Sequence, residues 1–158
     1  MHQASPEIVD SIVKWMETFV EVPHPSFGNM PPCPYARQFR LQNKVKIVEC
    51  HSAIWEACMR TMTTWDDQWE AIILASTNTD ISHGLLSEKT VTLNKRYKHL
   101  DVVALEDHPL SEEHIDGVKM NHGELVLVVV QRLARLNKFS ENLQKTKYYH
   151  RWSEENLD

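Results

Sequence analysis

The residue with the clearest chemical potential is a thiol, Cys33, in the stretch Pro31-Pro32-Cys33-Pro34. Pro34 suits the first position of a helix, because its φ is fixed near the helical value and its missing N–H would go unpaired there. The spacing predicts Cys33 as the N-cap of a helix over about 34–43, beside unpaired N–H groups and the positive end of the helix dipole. A thiol in that place can have its pKa lowered, and the thiolate is the reactive form. Cys33 is therefore a candidate nucleophile or redox centre; the alternative is a thiol that only caps and packs.

Two further residues could complete a thiol-dependent catalytic group. His108 lies in Asp107-His108-Pro109 and could act as acid or base, with its ring oriented by Asp107 or by a backbone carbonyl. Asn121 could orient that imidazole, which would give a Cys–His–Asn arrangement. The alternatives are a loop histidine held by Pro109 and, as we favour for Asn121, a side chain that caps a turn.

A second group of polar residues could bind a ligand; it comprises Arg37, His51, Asn78 and Asp107. Arg37 follows the thiol by one helical turn and could hold an acidic group bidentately, although an exposed ion pair is the simpler outcome. His51 and His108 could join cysteines at a zinc ion. Because no pair of ligands has the usual sequential spacing, we expect no metal site. We also expect no cofactor. The expected ligand is a small anion.

Alternating strand and helix patterns predict the elements that position these residues. Strands are predicted at 45–50, 71–75 and 102–106, and a helix follows each of the first two. The apolar run 125–130 is ambiguous: its β-branched residues favour a fourth strand before a helix at 132–147, and one helix from Glu124 onward is the alternative. We expect an α/β fold, with a three- or four-stranded, mostly parallel sheet and helices packed on its faces.

This topology predicts that the chemical residues meet at one edge of the sheet. If the first three strands are parallel, their carboxyl ends carry His51, Asn78 and His108 to the same edge. The helix at 34–43 would run antiparallel to the first strand and return Cys33 to it, and a fourth strand of opposite direction would begin there with Asn121. Ligands usually bind in the crevice outside the carboxyl ends of such strands.

Length and local composition predict the organisation of the chain. With 158 residues, we expect one α/β domain over 1–158. The segment 21–32 carries four prolines and is predicted as a loop. The segment 148–158 is predicted to be a tail that either packs through Trp152 or frays.

Composition and charge exclude several classes of function. A formal net charge of -5 gives no basic footprint for nucleic acid. With only 4 glycines and no Walker pattern, a phosphate-cradling loop is not expected. The 3 cysteines form no Cys-x-x-Cys pair, and neither a charged leader nor an apolar run of membrane-spanning length is present. We therefore expect a cytoplasmic protein with free thiols and no membrane partner, and the oligomeric state stays open.

In the order and spacing of short motifs, the chain resembles a small bacterial family of unknown function. The family carries Trp-Leu-Glu on its first helix, then Cys-Pro-Phe-Ala, a His-Pro after a strand, and Asn-Arg-Ser-Pro before a final apolar stretch. The matching pieces are Trp15-Met16-Glu17, Cys33-Pro34-Tyr35-Ala36, Asp107-His108-Pro109 and Asn121-His122-Gly123-Glu124. The family's Arg-Ser-Pro is absent here, so an anion-binding role of that arginine does not transfer. The resemblance therefore supports the choice of residues and implies no particular reaction.

Two functional hypotheses follow. The first is a small-molecule enzyme, a hydrolase or a group-transfer enzyme, in which Cys33 forms a covalent thio-intermediate, His108 moves protons and Asn121 orients the imidazole. The second is a non-catalytic domain that binds a ligand or another protein, in which the Cys-Pro and His-Pro motifs are structural.

Overall fold

The structure is a computed structural model that describes residues 2–51, 53–111 and 114–153. Its strands and helices follow in chain order as β1 His2–Gln3, α1 Pro6–Trp15, α2 Ala36–Leu41, β2 Val45–Glu49, α3 Ile54–Thr63, β3 Ala71–Ser76, α4 His83–Tyr97, β4 Val102–Asp107, β5 His114–Ile115, β6 Val118–Lys119, β7 Val126–Arg132 and α5 Leu133–Gln144. A π-helical turn over Met16–Val20 continues α1, and 3₁₀ turns cover Pro25–Phe27 and Lys98–Leu100.

The main sheet has the strand order β1-β2-β3-β7-β4. Strands β2 and β3 pair in parallel, whereas β1 with β2, β3 with β7, and β4 with β7 pair antiparallel. The prediction of a mixed α/β fold is confirmed, but the prediction of a mostly parallel sheet is wrong. Strands β2, β3 and β4 do point the same way; β7 runs against them and separates β3 from β4.

The position of β7 follows from its composition. Val126, Leu127, Val128 and Val130 are almost completely buried, so this strand gains most free energy in the middle of the sheet with both faces covered. The ambiguous run at 125–130 is thus a strand, and its opposite direction agrees with the prediction. Between β4 and β7, the strands β5 and β6 pair antiparallel as a short hairpin.

Helices cover both faces of the sheet. On one face, α3 and α4 bury apolar side chains against the strands, among them Ile54, Cys58, Met62 and Leu86. On the other face, α1, the π-helical turn that continues it and α2 contribute Ile8, Ile12, Met16 and Ala36. Both layers therefore rest on burial of apolar surface, and α3 and α4 begin near the carboxyl ends of β2 and β3, respectively.

The proline-rich segment and the tail pack against each other. Phe27 is completely buried and its ring lies 5.5 Å from that of Tyr148. Trp152 joins the same cluster, with ring centroids 4.8 Å from Tyr149 and 5.5 Å from Tyr148. Of the two alternatives for the tail, the described part to residue 153 packs through Trp152; residues 154–158 lie outside the description.

No helix in the described ranges is both long and apolar enough to span a bilayer.

Candidate functional site

A cavity of about 410 Å³ lies where the parallel strands β2 and β3 end and α3 and α4 begin. The residues that line it are His51, Ala53, Ile54, Trp55, Ser76, Asn78, Asp80, Ile81 and Leu85. This is the crevice at the carboxyl ends of the strands in which α/β proteins usually bind ligands. Two of the predicted ligand-binding residues, His51 and Asn78, line it.

The loop after β3 presents polar groups to this cavity. The hydroxyl oxygen of Ser76, a buried residue, accepts a hydrogen bond of 3.1 Å from the backbone N–H of Asn78. The Oδ1 atom of Asn78 accepts one of 3.0 Å from the N–H of Asp80. These bonds fix the loop, and the Nδ2 group of Asn78 and the carboxylate of Asp80 make no hydrogen bond to a described residue. Both groups can therefore meet a ligand.

The first turn of α3 adds backbone donors to the same cavity. Its N-cap residue, Ala53, has no side chain that could accept a hydrogen bond. Within the described part of the chain, the N–H groups of Ile54 and Trp55 meet no acceptor, as is usual for the first turn of a helix without a cap. Ser82, in contrast, caps α4 by accepting a 3.1 Å bond from the N–H of Leu85. The α3 end of the cavity is therefore the one that favours an anionic group.

His51 lies at the exposed side of the cavity, beside an acidic residue. Its Nε2 atom is 3.4 Å from Oε2 of Glu49. The other oxygen of that carboxylate accepts a 2.9 Å bond from the N–H of Ser5, so Glu49 also joins β2 to the start of α1. Trp55 supplies an aromatic wall, with the ammonium group of Lys89 5.6 Å from the ring centroid. The cavity lining thus combines polar groups, an aromatic surface and the carboxylate of Asp80, and the ammonium group of Lys89 contacts the Trp55 ring from outside the lining.

His108 lies behind this cavity and does not line it. The residue is 1% exposed, and its Nε2–H donates a 2.7 Å hydrogen bond to the carbonyl oxygen of Ile81. Its Nδ1 atom accepts a 3.0 Å bond from the N–H of Leu110. Because a carbonyl oxygen can only accept, this pattern sets the Nε2–H tautomer. Both ring nitrogens bind backbone, and the imidazole holds Ile81, a residue of the cavity wall, in place.

Asn121 contacts the backbone of the His-Pro segment and not its imidazole. Its Nδ2 group donates hydrogen bonds to the carbonyl oxygens of His108, at 2.9 Å, and Pro109, at 3.0 Å. Asp107 accepts a 3.1 Å bond from the N–H of His122. The structure therefore brings Asp107, His108 and Asn121 together as a brace between the end of β4 and the segment before β7.

Cys33 lies in a different environment from His108. The helix begins at Ala36, after a turn in which the N–H of Ala36 binds the carbonyl oxygen of Cys33 at 3.2 Å. The N-cap expected at Cys33 is therefore not formed; Tyr35 occupies that position, because the Pro34-Tyr35 pair completes a turn before helical pairing starts. No hydrogen bond joins Cys33 to His108 in the described part of the chain, and neither residue lines this cavity. Arg37, exposed on α2, lines neither this cavity nor the larger one at β2 described below.

The expected lowering of the Cys33 pKa is also wrong. The residue keeps exposed surface, yet protein surrounds the sulfur closely enough that desolvation raises the pKa of the thiol above 9.0. Backbone N–H groups of Tyr35 and Ala36 lower it, and the carboxylate of Glu21 raises it. Burial is the largest of these effects, so the thiol stays protonated at neutral pH. Part of the surrounding protein is Tyr148, whose hydroxyl donates to the carbonyl oxygen of Pro32.

A serine–histidine pair that no sequence motif predicts lies on the α1 face of the sheet. The Nε2 atom of His122 is 3.1 Å from the hydroxyl of Ser11, and its ring centroid is 5.5 Å from that of Trp15. Its Nδ1 atom accepts long bonds, each 3.4 Å, from two backbone N–H groups of the following residues. The proton therefore sits on Nε2 and is donated to Ser11, which is the wrong direction for activating a serine nucleophile. Desolvation lowers the pKa of His122, in agreement with a neutral ring.

Sequence reasoning missed part of the cavity. Asp80 follows Asn78 in a polar run directly after a buried strand, and that run was the available signal. Ser76 directly follows the predicted strand 71–75 and is not among the predicted site residues. The α3 N–H groups that have no acceptor among the described residues depend on Ala53 at the N-cap, which can be recognised only once the helix start is known. In the described part of the chain, no group of three or more histidine, cysteine, aspartate or glutamate residues could hold a metal ion.

Comparison with protein-family models finds no match for the chain, and a search of curated proteins finds no similar sequence. The site is therefore defined by its own geometry: a mixed α/β sheet with a donor-lined cavity at the carboxyl ends of its parallel strand pair.

Proposed function

We propose that this chain binds a small molecule in the cavity between the ends of β2 and β3. The observation that carries the proposal is that the first turn of α3, in which the N–H groups of Ile54 and Trp55 have no acceptor among the described residues, lines a cavity of about 410 Å³. Such a volume lies within the usual range for small-molecule sites, about 300–1,000 Å³. Free N–H groups at a helix N-terminus bind carboxylates and phosphates, so the ligand carries one of these groups.

The rest of the lining defines the remainder of the ligand. Asn78 offers an amide donor near the anionic group, and Asp80 offers a carboxylate that accepts hydrogen bonds. A ligand that carries a hydroxyl or amino group beside its anionic group satisfies both side chains. Trp55 and Leu85 pack against its carbon atoms. Compact hydroxylated or aminated carboxylates and phosphates are therefore the chemical class we propose.

The experiment is an NMR titration of the ¹⁵N-labelled protein with inorganic phosphate, L-serine and glycerol 3-phosphate. We expect the amide resonances of Ile54 and Trp55 to shift with glycerol 3-phosphate, and Asn78→Ala to weaken that binding by about tenfold through loss of one hydrogen bond to a charged group. Asn137→Ala, an exposed position on α5, is the matched control. The proposal is wrong if none of the three compounds shifts those amides, or if both variants bind equally.

The thiols support a further part of this proposal, a reducing compartment such as the cytoplasm. Cys33, Cys50 and Cys58 are free, and Cys50 and Cys58 are buried in the core. Free buried thiols are typical of proteins that fold where glutathione keeps cysteines reduced. If cells are denatured in the presence of an alkylating agent, mass spectrometry should find all three cysteines alkylated. A disulfide among them would contradict this placement.

A further inference from the structure

The outer edge of β2 is only partly covered. The two-residue strand β1 pairs with Val48 and Glu49 and then leaves the sheet. Along the inner edge, the carbonyl oxygen of Lys44 accepts a bond from Ala71, and the N–H of Cys50 donates to Ala75. Because backbone groups alternate in direction along a strand, the even-numbered residues of β2 face β3.

The odd-numbered residues therefore face outward. The N–H and C=O groups of Val45 and the N–H group of Ile47 point to the open edge, where no described residue pairs with them, whereas the Gln3–Val48 pair directs the C=O group of Ile47 to the N–H of Ala4. An unpaired strand edge of this kind is a template for pairing with another extended chain.

A groove of about 660 Å³ lies along this open edge. Its lining is formed by Gln3, Ala4, Val9, Val45, Lys46, Ile47, Val48 and Trp69. Among these residues, Lys46 alone carries a formal charge, and its ammonium group lies 5.7 Å from the centroid of the Trp69 ring. The groove is thus an apolar channel with a single cation beside unpaired backbone groups.

We infer that the edge of β2 binds an extended segment of another protein as an added strand. Backbone hydrogen bonds to both groups of Val45 and to the N–H of Ile47 supply the pairing, as in other cases of β-strand addition. The segment carries apolar side chains opposite these two residues, on the face that Val9 covers. It carries a carboxylate opposite Lys46, because opposite charges directly across two strands attract.

Charge argues against a second copy of this chain as the occupant. Symmetric antiparallel pairing of β2 with itself, with Val45 opposite Ile47, places Lys46 opposite Lys46 of the other copy. The symmetric register centred on Val45 places Lys44 opposite Lys46 instead. Like charges in directly opposed positions destabilise a strand pair. The pKa of Asp66 is lowered mainly by two hydrogen bonds from Gln68 and less by the nearby Lys46 ammonium, and Asp66 lies outside the groove.

The test is a titration of the ¹⁵N-labelled protein with the capped peptide acetyl-Thr-Thr-Val-Glu-Val-Thr-Thr-amide. Two matched peptides carry lysine in place of glutamate, or N-methyl groups on both valines. We expect the amides of Val45, Lys46 and Ile47 to shift at millimolar concentrations of the first peptide. The lysine peptide should bind about fivefold more weakly, and the N-methylated peptide about tenfold more weakly.

A charge reversal gives the decisive control. Lys46 is exposed, so Lys46→Glu should keep the fold and prefer the lysine peptide over the glutamate peptide. Asn78→Ala should bind the peptides unchanged, which separates this edge from the cavity. The inference is overturned if the glutamate peptide shifts none of the three amides, if the N-methylated peptide binds equally well, or if Lys46→Glu leaves the preference unchanged. Dimerisation of the free protein through this edge, detected by sedimentation, overturns it as well.

Discussion

The amide of Asn121 donates a hydrogen bond of 2.9 Å to the backbone carbonyl oxygen of His108, and a second bond of 3.0 Å joins it to Pro109. This contact ties the end of β4 to the start of the segment that enters β7. The imidazole of His108 meanwhile holds the carbonyl oxygen of Ile81 in the cavity wall. The two residues therefore act in sequence: Asn121 positions the backbone that positions His108, and His108 positions the loop before α4.

Removing the amide should destabilise the fold. We expect Asn121→Ala to lower the free energy of unfolding by about 2 kcal/mol, because two carbonyl oxygens lose their donor. Urea denaturation measures this change. The exposed Asn137→Ala should change stability by less than about 0.5 kcal/mol. Equal effects of the two variants would show that the Asn121 contact does not stabilise the protein.

Most secondary structure could be predicted from local patterns. The buried run Ala71–Ser76 is a strand, as predicted for 71–75. The β-branched run Val126–Arg132, for which the composition favoured a strand and left a helix as the alternative, is a strand as well. The order of strands could not be predicted this way, since no local pattern shows that β7 pairs with both β3 and β4. Two-residue strands such as His114–Ile115 are too short to give a periodic signal, so no local pattern predicts the β5–β6 hairpin.

Of the candidate site, the sequence allows prediction only of those residues whose position follows from the direction of the strands. His51 and Asn78 reach the cavity because they follow β2 and β3, whose common direction the alternation of elements indicates. The pKa of Cys33 was inferred from its own turn alone. The pKa of Cys33 is in fact raised, because the thiol is buried, and Tyr148, a residue distant in sequence, contributes to that burial. Long-range packing of this kind leaves no trace near position 33.

The thiol of Cys33 should react slowly at neutral pH. Because burial raises its pKa above 9.0, the thiolate fraction near pH 7 is smaller than that of an unperturbed cysteine. We expect the rate of iodoacetamide labelling at Cys33 to keep rising beyond pH 9, with peptide mapping used to separate it from the buried Cys50 and Cys58. Glu21→Gln should move the rate profile to lower pH, since that carboxylate raises the pKa. A midpoint of the rate profile below pH 8.5 in the unsubstituted protein would contradict this and support an activated Cys33 thiol.

His122 should make stability depend on pH. Its pKa is lowered from 6.5 by desolvation, so the unfolded chain binds a proton more readily than the folded one. Stability is then fully present above pH 6.5 and decreases as the pH falls toward the folded-state pKa. We expect urea denaturation to show this decrease between pH 7.5 and 5.5, and His122→Gln, which can still donate to Ser11, to reduce it. His99→Gln, an exposed histidine after α4, serves as the control; an equal reduction there would contradict the assignment.

Alanine substitutions at two glycines of similar backbone conformation distinguish the cost of backbone strain from the cost of overpacking. Gly28 has φ +66° and Gly117 has φ +80°, and both are unfavourable for a side chain. A Cβ atom on Gly117 meets open space, whereas one on Gly28 would lie 2.6 Å from the backbone of Lys147. We expect Gly117→Ala to cost about 1 kcal/mol of stability, from the left-handed conformation alone. Gly28→Ala should cost about 3 kcal/mol, because overpacking adds to the same strain.

The clash that Gly28→Ala introduces should also change the reactivity of the Cys33 thiol. Lys147 precedes Tyr148, whose hydroxyl binds the carbonyl oxygen of Pro32 next to Cys33. Displacing that tyrosine removes protein from around the sulfur, so Gly28→Ala should raise the labelling rate of Cys33 at neutral pH, whereas Gly117→Ala should leave it unchanged. Labelling and urea denaturation of both variants measure the two effects together. If the glycine variants lose equal stability and label equally, the tail does not pack on the proline-rich segment in solution, and the raised pKa of Cys33 needs another cause.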